Sequence, residues 1–146
     1  MDIHANELVF AVGIGQASEA PQTVGTGETK LNMGYVFYDP NSLVDATNYK
    51  VVIGTAGWYT LSLKLKAINN TLADQKKLEA KIKLNGAVLS SGVAKQSGTG
   101  PLSAWTETPL ELAVGDVVEA FVDTDDASID IQGSRAATCF YGHYWS

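Results

Sequence analysis

The run Asp123-Thr-Asp-Asp126, with Asp130 close behind, is the densest acidic stretch of the chain. Carboxylate oxygens gathered in one loop are what a hard cation such as Ca²⁺ needs, so Asp123, Asp125 and Asp126 are candidate metal ligands. The run lacks the glycine and distal glutamate of an EF-hand loop, and a solvated turn between strands is the plainer reading. Cys139 and His143 are the residues closest to a nucleophile and its base. On an extended strand they share a face but stand about 13 Å apart, at roughly 3.3 Å per residue. A triad also needs an acidic orienter, and the chain has no Gly-x-Ser-x-Gly elbow. His143, among Tyr141, Tyr144 and Trp145, is expected to pack in an interface, whereas His4 lies in a polar leader. Gly13-Ile-Gly15-Gln-Ala-Ser18 follows an apolar run as a dinucleotide loop would, but a serine replaces its third glycine and Glu19-Ala20-Pro21 opens no convincing helix. No cofactor is therefore expected beyond the candidate calcium. Asn69-Asn-Thr71 matches a glycosylation sequon, which matters only for an exported chain. Trp58, Trp105 and Trp145 could stack on sugars or anchor a protein partner. Trp105, in a glycine-rich stretch read as loop, is the candidate ligand contact.

These residues are carried by strands. Tyr59, Leu61, Leu63, Leu65 and Ala67 alternate with Thr60, Ser62, Lys64 and Lys66, the period of a half-buried strand. Leu78, Ala80, Ile82 and Leu84 alternate in the same way with Lys77, Glu79, Lys81 and Lys83. Thr71 to Ile82 is also rich in helix formers, yet its apolar residues from Leu78 onward recur too often for one helix face. Asn85-Gly86 favours positive φ, so Ala87-Val-Leu89 should return antiparallel. Pro109 to Val114, Val117 to Val122 and Ser128 to Gln132 read as further strands, while Gln16 to Glu28 and Ser90 to Thr108 read mainly as loops. Eight or nine strands in all describe a β-sandwich of jelly-roll type, with residues 1–146 as one domain.

The first and last of these strands differ from the others. Leu8-Val-Phe-Ala-Val-Gly-Ile14 and Cys139-Phe-Tyr-Gly-His-Tyr-Trp145 are apolar on both faces. Strands of that kind are normally covered on both sides. A sandwich of this length has no spare layer, so a second copy of the chain is the simplest cover and an obligate homo-oligomer is expected.

Composition narrows the partners. The chain has 146 residues, 45% of them apolar and 18% charged, enough for a core and too few charges for disorder. A net charge of −6 is the wrong sign for a phosphate backbone, so nucleic acid is not expected as a partner. No long apolar run marks a membrane span, and the start Met1-Asp-Ile-His-Ala-Asn-Glu7 does not look like a signal peptide, so a soluble product made in the cytoplasm is expected. Cys139 is the only cysteine, which leaves packing alone to hold the fold.

Val51-Val-Ile-Gly-Thr-Ala-Gly57-Trp-Tyr59 resembles the signature segment of C1q-like domains, in which Gly-x-Tyr opens a strand. Asn85-Gly86, the Leu-x-Leu-x-x-Gly-Asp run from Leu110 to Asp116 and the closing Phe140-x-Gly142 follow in the order of the C1q and tumour-necrosis-factor superfamily. The likeness spans Glu7 to Tyr144. It implies an all-β, ten-stranded jelly roll of two antiparallel sheets, assembled as a tight homotrimer with the first and last strands near the three-fold axis. It further implies a protein that binds other proteins or surfaces and is not an enzyme. Val9, Phe10, Val12, Phe140, Tyr141, Tyr144 and Trp145 are then the expected trimer interface. Compact versions without a collagen-like stalk occur in bacteriophage structural proteins. The expected role is accordingly a trimeric decoration or cement protein on a phage capsid, located on the virion surface with another virion protein as partner. A receptor- or glycan-binding fibre tip, or a C1q-like ligand for a cell-surface receptor, are the alternatives.

Overall fold

The computed structural model describes residues 6–15, 20–68, 76–95, 100–126 and 128–145. Two antiparallel sheets face each other across an apolar core. The first contains β1 (Asn6–Gly13), β2 (Gln22–Val24), β4 (Tyr35–Tyr38), β7 (Gly57–Ile68), β10 (Leu102–Leu112), β12 (Ile129–Ile131) and β13 (Cys139–Trp145). The second contains β3 (Gly27–Lys30), β5 (Val44–Asp45), β6 (Lys50–Val52), β8 (Lys77–Leu84), β9 (Ala87–Lys95) and β11 (Val117–Thr124). Strand β7 organises the first sheet: β10 pairs along its whole length on one side, and β13 and then β12 share the other. The chain's two ends meet as β1 alongside β13.

The period-two pattern places the core. On β7, Tyr59, Leu61, Leu63, Leu65 and Ala67 are all buried, and on the facing sheet so are Leu78, Ala80 and Ile82 of β8 with Val118, Ala120 and Val122 of β11. From the terminal strands, Phe10 and Phe140 enter between the layers and meet edge-on with ring centroids 5.2 Å apart. Gly142 stands in register with Phe10, and a Cβ there would run into the Phe10 ring, so glycine is what admits the aromatic pair.

The Asn85-Gly86 hairpin forms between β8 and β9 with φ of 50° and 88° at its central residues. Asn85 also ties this turn to the next one. Its Nδ2 donates to Asp116 Oδ1 at 3.1 Å, and its Oδ1 accepts from the Val117 amide at 2.9 Å. Two sequence landmarks are thus one physical unit at the same end of the sandwich.

The exterior of the second sheet is charged and largely self-neutralising. Lys81 pairs with Glu28 and Asp123 at 3.0 Å each, Lys83 also pairs with Glu28, and Lys30 pairs with Glu119. Hydrogen bonds from Lys83 and Lys81 hold the Glu28 carboxyl below its ordinary range. A lowered folded value means that Glu28 stabilises the fold above its unfolded pKa, near 4.5, and that this contribution disappears as pH falls through the lower folded value. Wild type is expected to melt above Glu28→Gln at pH 7, and the gap should shrink progressively as pH falls below 4.5. Because the pair is partly solvated, the gap corresponds to no more than about 1 kcal/mol, or about 2–4 °C. Parallel melts across pH check this.

Three expectations are corrected. The chain has thirteen strand segments among the described residues where eight or nine, or the ten of the resemblance, were expected; the additional pieces are only two to four residues long. Ser90 to Thr108 is mostly strand, since β9 runs to Lys95 and β10 begins at Leu102. Gln16 to Glu28 holds β2 and the start of β3. Partner strands impose these segments: β10 finds an eleven-residue register on β7, and Pro109 is tolerated because it lies in a strand paired on that side alone. The part of Thr71 to Ile82 from Lys77 onward is strand, and residues 71–75 lie outside the described residues.

Candidate functional site

Side chains that point away from the core differ sharply between the two sheets. On the first, the register sets Trp58 beside Trp145, Thr60 beside His143, Ser62 beside Tyr141 and Lys64 beside Cys139. Strand β1 extends these rows with Leu8 opposite His143 and Ala11 opposite Tyr141. Large apolar groups stay uncovered here: Trp58 is 54% exposed, Trp145 39% and Trp105 67%. Tyr38 of β4, in register with Ala11, is also exposed.

The face holds two cavities, one at its Trp58–Trp145 end and one nearer its middle. One of about 570 Å³ is lined by Trp58, Thr60, Pro109, Tyr144 and Trp145, with Trp145 Nε1 donating to Thr60 Oγ1 at 2.9 Å. The other, about 560 Å³, lies between Leu8, Ala11, Cys139, Tyr141 and His143, with Lys64 and Arg135 at its rim. Tyr141 and His143 touch edge-on at 5.7 Å. Burial pushes the Cys139 thiol up, which keeps it protonated and makes it a poor nucleophile. Burial likewise raises Tyr59, whose hydroxyl donates to the Thr55 carbonyl at 2.5 Å.

The expected interface residues divide between the two sides of the sheet. Phe10, Val12 and Phe140 are wholly buried within one chain, so their side chains belong to the core and cannot meet a copy. Val9 turns inward at a bulge between Leu8 and Phe10 and lines a recess with Leu43 and Tyr59. Tyr144 leans on Tyr59 with ring centroids 5.1 Å apart. Of the expected set, Tyr141 and Trp145 point outward. Leu8, Ala11, Trp58 and His143 join them there. The signal for this division was already present: Phe140, Gly142 and Tyr144 alternate with Tyr141, His143 and Trp145, and the glycine marks the side that faces another element.

Other candidate sites resolve as structure. Asp123 is paired with Lys81, the Asp125 carboxylate accepts from the Lys77 amide at 3.3 Å, and Asp126 accepts from the Ser128 amide at 3.1 Å. Among the described residues no three acidic, histidine or cysteine side chains are grouped to hold a metal, so the Asp123, Asp125 and Asp126 expectation is not supported by their placement. The Gly15 amide donates to the Asn32 carbonyl at 3.1 Å instead of facing a ligand. His4, Ser18 and the Asn69-Asn-Thr71 sequon lie outside the described residues. Trp105 is not in a loop but projects from β10, opposite Lys64.

Two facing antiparallel sheets, with the terminal strands side by side in one of them, define a jelly-roll sandwich of the tumour-necrosis-factor and C1q kind. Solved structures of that kind superpose over nearly the whole chain. Murine APRIL at pH 5.0 matches with a TM-score of 0.69 at 12% identity, covering 97% of this chain and 99% of that one. Eiger TNF from S. frugiperda gives 0.69 at 12% identity, with 96% and 94% covered. The globular domain of zebrafish complement 1qA protein gives 0.62 at 15% identity, with 93% and 95% covered. Identities this low establish the fold. No protein-family model matches the sequence, and neither does any curated protein.

Proposed function

We propose that the chain is a non-enzymatic homotrimeric module in which the part of the first sheet's outward face around Trp58, Tyr141 and Trp145 is buried between copies around a three-fold axis while the Trp105 end stays open, and that the trimer decorates a bacteriophage capsid. One observation carries the assembly: an apolar patch with exposed Trp58 and Trp145, beside Pro109 and Tyr144, lies on one sheet, while ion pairs cover the other. Contiguous apolar surface of this kind is uncommon on a lone soluble chain and marks an interface. The fold resemblance supplies the three-fold arrangement. Sedimentation at micromolar concentration is expected to show a particle of three 15.5 kDa chains. A single-chain or two-chain species would overturn the assembly.

The setting on a virion surface, with a capsid protein as partner, draws on the likeness to compact phage domains and on the net charge of −6, which disfavours nucleic acid. A preformed trimer fits a three-fold position on a shell. Particles stripped of the protein should still inject but burst at lower osmotic pressure. Particles that fail to adsorb would instead assign it to receptor binding, a second reading for which the exposed Trp105 speaks.

A further inference from the structure

At the far end of the first sheet from Trp58 and Trp145, the exposed side chains change character. Trp105 of β10 stands in register with Lys64 of β7, and Ser103, on the same side of β10, stands in register with Lys66. The segment after β12 adds Gln132 and Ser134. The Gln132 amide is fixed by donating to the Lys66 carbonyl at 2.8 Å, and its Nε2 donates to Ser134 Oγ at 3.4 Å. Together these side chains line a depression of about 480 Å³, within the size range of small-ligand sites.

We propose that this depression binds a sugar carrying a carboxylate, a uronic or sialic acid unit within an oligosaccharide. The bare indole of Trp105 offers a flat apolar face to one side of a pyranose ring. Lys64 and Lys66 offer ammonium groups to its carboxylate. Gln132, Ser134 and Ser103 supply donors and acceptors for ring hydroxyls. The acidic class follows from where the charge stands. Lysine–carboxylate ion pairs of the described residues run across the second sheet, through Lys30, Lys77, Lys81 and Lys83, and none engages Lys64 or Lys66. Glu107, the neighbouring carboxylate on β10, instead accepts from the Ser62 hydroxyl at 2.7 Å. Two cations beside an uncovered tryptophan thus form a local positive site on a chain of net charge −6. Every contact comes from one chain, so the site does not depend on the trimer.

Calorimetric titration of the full chain at low salt with tetragalacturonate and sialyllactose, each against a neutral oligosaccharide of matching length, tests the assignment and separates the two acid sources. At least one acidic sugar is expected to bind more than about tenfold tighter than its neutral counterpart. Trp105→Ala should abolish binding of both. Lys64→Gln with Lys66→Gln should bring the acidic sugar down to the neutral level while Trp105 remains in place. Absence of heat with both acidic sugars, or binding unchanged in either variant, overturns the proposal. Sedimentation of the same variants separates the site from the assembly: if Trp105→Ala dissociates the trimer while the lysine pair leaves sugar affinity untouched, Trp105 belongs to the contact between copies and the proposal fails. Should the alanine variant misfold, Trp105→Phe and the lysine pair still decide the question.

Discussion

Tyr141→Asp is expected to convert the assembly into single 15.5 kDa chains without unfolding them. Tyr141 lies in the middle of the outward face, in register with Ser62 on one side and Ala11 on the other, and contributes nothing to the buried core. In a free chain the new carboxylate would sit in water at little cost. Within a three-fold contact each copy would have to desolvate a charge, at an effective penalty of several kcal/mol per ion, which Lys64 and Arg135 at the rim of the cavity that Tyr141 lines would offset only in part. Repeated around the axis, that exceeds what the remaining apolar contacts between copies could offset. Sedimentation and far-ultraviolet dichroism, read together, decide the matter: monomer mass with an unchanged β spectrum is the expected pair. Trimer mass in the variant would show that the copies meet elsewhere. Phe140→Asp makes the contrast. Its neighbour in sequence points into the core, so that variant should lose the β spectrum itself.

The contrast between Phe140 and Tyr141 also shows how far the sequence reaches. Two-sided grease on the terminal strands was visible as a pattern, and so was the alternation within it. Which side is covered by the chain's own second layer depends on what lies across the sandwich, and no local pattern records that. The long strands β7 and β8 were legible because each carries enough alternating residues to define a face. Strands such as β5 and β12, of two or three residues, have no period of their own and exist because β6 and β7 offer them a partner. Gly92, Gly98, Gly100 and Pro101 crowd the stretch around Trp105 and give it the pattern of a loop. Gly100 does have a turn conformation, with φ of 121°. Gly92 has a different purpose, which only the paired sheets reveal.

Replacing Gly92 by valine is expected to cost about 3 kcal/mol or more, which lowers the melting temperature by about 6–12 °C. Gly92 lies in β9 at the edge of the second sheet, directly against the backbone of Trp105 in β10 at the edge of the first. Any Cβ at position 92 would fall far inside the contact shell of the Trp105 carbonyl oxygen. A side chain could rotate aside, but a backbone carbonyl of a strand paired along β7 can yield only if the strand shifts. The same edge carries a hydrogen bond of 2.5 Å between the Ser90 and Thr106 hydroxyls, which that shift would also disturb. Gly86→Ala is the control, because nothing lies within 4 Å of its Cβ position and only its φ of 88° opposes substitution. That change should cost about 1 kcal/mol. If thermal melts place Gly92→Val level with Gly86→Ala, the two sheets do not close where β9 meets β10. A deep loss at Gly92 would show that the backbone presenting Trp105 is also a seam holding the sandwich shut, so the exposed indole stands on one of the least movable parts of the fold.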